Sequence, residues 1–224
     1  MIFSEFFLYD EEKPIRCTVR NYQERDFNEL IAIQAECFPA PFPEDLWWND
    51  EQLASHLAYF PQGAICVEVE GELAGSLTSF RTIYDPEHSQ HTWGKITDNG
   101  YITTHDENGN ALYVVDISIR PKYRKLGLGK VLIQSAYYLV IHLGIERLLG
   151  GGRMPGYRKV ADKLSPAKYL DYVMAGKLQD PVLTFLLRCG RSPVTILSNY
   201  LDDEDSLNYA VLMEWKNPFQ NIQK

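Results

Sequence analysis

Residues 113–130 read Tyr113-Val-Val-Asp-Ile-Ser-Ile-Arg-Pro-Lys-Tyr-Arg-Lys-Leu-Gly-Leu-Gly-Lys130, and this stretch decides the fold. Its first part, with Ala111 and Leu112, is β-branched and aromatic, so a strand is expected over 111–119, ended by Pro121. A short loop with Gly127 and Gly129 follows. Leu128, Leu132, Ala136, Leu139 and Leu143 then form one helical stripe, and Val131, Ile133, Tyr137, Val140 and Ile141 cover much of the rest. A helix apolar nearly all round is a buried one, and Gly144 is its stop. Residues 145–149 read as a second strand, running into Gly150-Gly151-Gly152. Strand, buried helix, strand is a crossover, so these two strands should be parallel.

The loop carries the chemistry. The first turn of a helix has free N–H groups and the positive end of the helix dipole. Gly127 and Gly129 remove side chains that would block close approach, and Arg124, Lys125 and Lys130 add charge. Such a place suits a phosphate or diphosphate. A Walker loop, GxxxxGK[ST], is excluded, because Val131 follows Lys130 and Arg124 stands where the first glycine is needed. The dinucleotide pattern GxGxxG fails at Leu132. What remains is RxxGxG, from Arg124 to Gly129.

Outward from this centre the chain is well punctuated. A strand at 15–20 precedes a helix over 26–37, which Asp26 and Glu29 would cap. Phe27, Leu30, Ile31, Gln34 and Phe38 follow at helical spacing, four of the five apolar. Asn49 or Asp50 caps a second helix bearing Leu53, Leu57 and Phe60. Strands are expected at 64–69 and 73–80. Residues 84–110 read as loop, except that Asn99-Gly100 and Asn108-Gly109 are hairpin signals. They make 101–105 a strand paired with 111–119. Ser165-Pro166 and Asp180-Pro181 open two helices that Gly176 and Gly190 close. Strands over 193–200 and 208–215 finish the chain. The expected fold class is α+β: a mixed, mostly antiparallel sheet with one parallel β-α-β crossover and helices on both faces. One domain over 1–224 is expected, with 1–14 an extension and 153–180 an insertion.

The RxxGxG motif, on this strand and before this helix, resembles the GNAT superfamily of acyl-CoA-dependent N-acetyltransferases. The order of elements matches from about Ile15 to Trp215. Gly151-Gly-Arg-Met-Pro-Gly-Tyr157 and Asp180-Pro-Val-Leu-Thr-Phe185 are similar to one branch, whose members often form the amino-terminal half of chains fused to a carbon-nitrogen hydrolase. The sequence ends at Lys224, so the acetyltransferase half alone is expected. The resemblance implies acetyl-CoA as co-substrate. It places the CoA diphosphate on the amides of Arg124, Lys125, Leu126, Gly127, Leu128, Gly129 and Lys130. The pantetheine arm would pair with Ile117, Ser118 and Ile119, where a backbone N–H also faces the thioester oxygen.

Acyl transfer to an amine sets a proton requirement. An alkylamine with a pKa of about 10.4 is almost wholly protonated at neutral pH, and freeing it costs roughly 4.6 kcal/mol. A base must take that proton, directly or through a water. Asp116 is the candidate. By period two, Val114, Asp116 and Ser118 share one face, and a carboxylate in an apolar strand is costly unless solvated or used. The other reading is that Asp116 accepts local hydrogen bonds and orients a neighbour. The family often places a Tyr acid four residues before the glycine that closes the last helix; here that position is Leu186. Tyr157, Tyr169, Tyr172 and Tyr200 are the substitutes to weigh.

The 224 residues carry 22 Lys plus Arg against 30 Asp plus Glu, a net charge of −8. That argues against a nucleic-acid binder. Apolar residues at 45% and charged at 23% are ordinary for a globular chain. No apolar run approaches the roughly 18 residues of a membrane span, and the amino end lacks a signal-peptide pattern. Cys17, Cys37, Cys66 and Cys189 suggest no disulfide framework. A cytoplasmic location follows. His56, His88, His91, His105 and His142 offer no metal set, so no metal is expected. Arg153, Arg158, Lys159, Lys163 and Lys168 form either a solvated surface or a contact for the acceptor or the CoA 3′-phosphate. The activity read from all this is acetyl transfer to a primary amine on a small molecule or peptide. A non-catalytic acyl-CoA sensor and a protein-lysine acetyltransferase are the alternatives. Dimers are common in the family.

Overall fold

The computed structural model describes residues 2–10 and 12–220. Eight strands form one sheet: β1 (Phe3–Asp10), β2 (Lys13–Asn21), β3 (Ala64–Val69), β4 (Glu72–Thr82), β5 (Ala111–Ile119), β6 (Arg147–Arg153), β7 (Ser192–Leu197) and β8 (Ala210–Lys216). Their order is β1-β2-β3-β4-β5-β6-β8-β7. Every neighbouring pair is antiparallel except β5 and β6, which are parallel. The helices are α1 (Phe27–Cys37), α2 (Asp50–Tyr59), α3 (Trp93–Thr97), α4 (Leu128–His142), α5 (Pro166–Met174) and α6 (Leu183–Arg188). The expected mixed sheet with a single parallel crossover is what forms. None of the described helices is long and apolar enough to cross a membrane.

The helices take two faces, and side-chain alternation shows which. Ile119 lies against Gly129 of α4, while its neighbour Ser118 meets Gln34 of α1. Successive strand residues face opposite sides, so α4 and α1 cover opposite faces of β5. Gly129 also abuts the Phe185 ring of α6, which puts α6 beside α4. The buried side of α4 is Leu128, Leu132, Ile133, Ala136, Leu139 and Val140; of the stripe read from the sequence only Leu143 is left half-buried, while Tyr138 and Ile141 are exposed, so the helix is not covered all round as expected.

Three local expectations are corrected. Residues 101–105 form turns, not a strand. Both edges of β5 are already taken, by β4 and β6, so no edge is free for a hairpin partner. Asn99-Gly100 instead ends α3 in left-handed backbone, with φ of 50° and 88°. Gly109 is there for close approach: a Cβ would lie 2.6 Å from the backbone nitrogen of Thr82. The amino-terminal extension contains β1, paired along β2. Its Phe3, Phe7 and Tyr9 are exposed, so the usual apolar-inward pattern does not announce it. Asp26 stands at the N-cap of α1, but its carboxylate makes no capping bond there; it accepts from the Gln23 N–H at 2.8 Å and from Arg20 at 2.6 Å. The caps at Asn49 and Ser165 form as read.

Candidate active site

The site begins where two parallel strands part. β5 and β6 pair only through Ala111–Tyr113 and Arg147–Leu149. Beyond that, β5 stays with β4 to Ile119, and β6 stays with β8 to Arg153. The divergence starts at a bulge. Asp116 lies opposite Thr78 and Val114 opposite Ser79, which leaves Val115 without a partner on β4. The Val115 carbonyl accepts instead from the Trp93 indole N–H, at 3.2 Å. Thr78 and Ser79 face opposite sides, so the bulge takes Val114 off the face of Asp116. The shared face expected for Val114, Asp116 and Ser118 therefore holds only for the last two. Single-residue alternation cannot foresee an inserted residue.

A cleft of about 830 Å³ fills the fork. Its walls bring together Asp116, Ile117, Ser118 and Ile119 from β5, the loop 124–130, and Gly150 and Gly151 from β6. Every site residue named from the sequence except Leu126 lines it directly. On the fork side, β5 from Val114 onward has no strand partner, so its backbone is open to an extended ligand.

The loop is shaped by left-handed backbone at Lys125 (φ 77°) and Gly127 (φ 80°). Gly127 precedes the first turn of α4, and its carbonyl accepts from the N–H groups of Lys130 and Val131. The amides of Leu128 and Gly129 precede those bonds and have no intrahelical acceptor. The two glycines have different reasons. A Cβ on Gly127 would meet nothing within 4 Å, so its φ demands glycine. A Cβ on Gly129 would come within 3.1 Å of Phe185, so this glycine seats α4 against α6. Gly129 and Phe185 both line the cleft. Arg124, Lys125 and Lys130 are exposed at the mouth.

Asp116 sits among donors. Gln34 Nε2 donates to Asp116 Oδ2 at 3.0 Å and to Ser118 Oγ at 3.1 Å. Ser118 Oγ donates to the same carboxylate oxygen at 2.7 Å. Burial pushes the Asp116 carboxyl up to about 6, against which the hydrogen bonds from Ser118 and Gln34 act only partly. Asp116 thus accepts local hydrogen bonds and also lines the cleft. Gln34 could have been found: it is the polar member of an otherwise apolar stripe on α1.

Of the four tyrosines, only Tyr200 reaches the cleft. Its hydroxyl lies 3.0 Å from that of Tyr113, which lies 2.8 Å from His91 Nε2. Gly151 makes room, because a Cβ there would fall 2.2 Å from the Tyr200 ring. Burial pushes the Tyr200 hydroxyl up to about 12. Tyr157 donates to the Leu164 carbonyl and Tyr169 to Asp180, both away from the fork. Tyr172 carries Lys168 and Lys177 over its ring. Leu186 is core, packed against Gly152.

Of the remaining candidates, Arg153 lines the cleft. His56 is fully buried between Tyr22 and the Gly100 carbonyl, and burial lowers its pKa to about 4. Among the described residues no group of His, Cys, Asp and Glu is placed to hold a metal. In the basic segment, Arg153 pairs with Asp203 and Arg158 with Glu204, while Lys159, Lys163 and Lys168 are exposed.

A splayed parallel pair beside an open glycine loop is the arrangement of an acyl-CoA-dependent acetyltransferase, and residues 27–153 match the model of the acetyltransferase (GNAT) family. The chain belongs to that family. It is 51% identical to the uncharacterized N-acetyltransferase YkwB of Bacillus subtilis (strain 168), over 98% of this chain and 97% of that one. It is 39% identical to the probable hydrolase YhcX of the same organism over 90% of this chain, but spans only 39% of that protein's length. Among solved structures it is similar to the GphF GNAT-like decarboxylase in complex with isobutyryl-CoA, with a TM-score of 0.72 and 24% identity over 89% of this chain and 98% of that one. At that identity the likeness is one of fold.

Proposed function

We propose that the protein transfers an acyl group, in the simplest case acetyl, from its CoA thioester to a primary amine by direct attack in a ternary complex. The acceptor is an amine on a small molecule or peptide. The observation that carries this reading is the meeting, in one cleft, of an unpaired strand edge, an open helix N-terminus and a half-buried carboxyl with a raised pKa.

Each part has a role. The loop amides from Arg124 to Lys130, backed by the exposed cations, would hold the CoA diphosphate. The free edge of Ile117, Ser118 and Ile119 would align the pantetheine arm, and a backbone N–H there would face the thioester oxygen. Asp116 would take the amine proton. With a pKa of about 6 it is roughly nine-tenths ionised at neutral pH, and it is a stronger base than a solvated aspartate. The C–N bond forms, the C–S bond breaks, and the departing thiolate picks up a proton. That proton can come from cleft water, and Tyr200, which lines the cleft, would face the sulfur. The high pKa of Tyr200 keeps it protonated, so it would act as a hydrogen-bond donor to the thiolate.

The test is direct. Titration calorimetry should show uptake of CoA, and mixing acetyl-CoA with a panel of amines should release free thiol. CoA uptake with no thiol release on any amine or lysine peptide would leave a binding module and overturn the reading.

A further inference from the structure

Arg191 follows Gly190 at the turn from α6 into β7 and is only 3% exposed. Its Nη2 donates to the Met213 carbonyl, while its Nε is buried with no partner. No carboxylate among the described residues forms an ion pair with it. A guanidinium offers five donors, and a buried cation without a counter-charge is costly to keep. Burial lowers its pKa to about 10, which still leaves it charged at neutral pH.

Its position says what it faces. Arg191 lines the cleft at the closed end of the fork. A Cβ on Gly150 would lie 3.3 Å from Arg191 Nη2 and 3.1 Å from the Val114 carbonyl, so the guanidinium reaches the point where β5 leaves β6. Arg191 lies two residues after Cys189, whose carbonyl accepts from Tyr137 in the third turn of α4. It is also on the donor's side of the sheet. Gly150 faces Arg191 and the next residue, Gly151, faces Tyr200, so the two groups lie on opposite faces. Asp116 faces α1, where the amine must approach, and Arg191 lies on the α4 and α6 face.

We infer that the acyl group carried into this cleft bears a carboxylate of its own, as in a dicarboxylic acid monothioester of CoA, and that Arg191 pairs with it. This rests on the acyltransferase reading and names its donor class. The carboxylate would supply the missing counter-charge and acceptors for the idle N–H groups, with the bidentate geometry that guanidinium favours.

The experiment is calorimetric titration of the whole protein with CoA, acetyl-CoA, malonyl-CoA and succinyl-CoA. The expected result is that at least one carboxylated thioester binds about ten-fold or more tightly than acetyl-CoA. Arg191→Met should bring that ratio to about one, and Arg191→Lys should keep part of it. Equal affinities in the wild type overturn the inference while leaving the acyltransferase reading intact, as does a preference that survives in Arg191→Met. Failure to bind CoA itself overturns both. Should Arg191→Met not fold, the wild-type ratio and Arg191→Lys still decide.

Discussion

The indole N–H of Trp93 donates to the carbonyl oxygen of Val115, the residue that the β5 bulge leaves without a partner on β4. A buried carbonyl deprived of its donor costs about 1–3 kcal/mol. Trp93→Phe keeps the ring and removes the N–H. It should lower stability by roughly that amount in urea titration and weaken CoA binding, because the bulge begins the fork. A variant with unchanged CoA affinity would separate the bulge from the site.

Asp116→Asn should reduce turnover more than ten-fold with CoA binding intact, measured by thiol release and calorimetry. Unchanged turnover would remove Asp116 from the mechanism.

The same substitution should stabilise the fold at neutral pH. The folded pKa of about 6 lies above the ordinary 3.8, so the folded state favours the protonated form. The contribution is fully present below about 4 and is lost as pH rises through about 6, with an upper bound of about 3 kcal/mol because the carboxyl is open to cleft water. Asp116→Asn should melt higher than wild type at pH 7.5 and equally near pH 4. A lower melting temperature at pH 7.5 would contradict this.

Gln34→Leu should shift the acid limb of kcat/KM to higher pH. Gln34 donates to the charged form of Asp116, and losing that donor leaves burial less opposed. The wild-type limb is expected near pH 6. A profile that does not move would mean that another group governs it.

Gly127→Ala and Gly129→Ala should fail differently. The first strains a φ of 80° in open space and should weaken CoA binding without rescue by any neighbour. The second presses a methyl into Phe185, so Phe185→Leu should restore it in part. Equal rescue of both would contradict the assignment.

Periodicity made the crossover legible, because the β5 strand, the α4 stripe and the Gly-rich end of β6 each carry a pattern set by their own burial. The glycine loop was legible for the same local reason. What escaped was set by the rest of the chain. The Asn-Gly pairs are good local turn signals, but the β5 edges were already occupied. The bulge at Val115 depends on a donor from Trp93, more than twenty residues away. Gln34 left a trace as a polar residue in an apolar stripe. Arg191 left none, since nothing next to it in sequence marks a charged residue after a helix-closing glycine as buried.

The parallel seam between β5 and β6 is three residue pairs long and joins a five-stranded half of the sheet to a three-stranded half. A ligand bridging the open arms beyond the seam would act as a splint across that joint. Amide exchange at Tyr113 and Leu149 should therefore slow when the cleft is filled, which makes the sheet itself the reporter of occupancy.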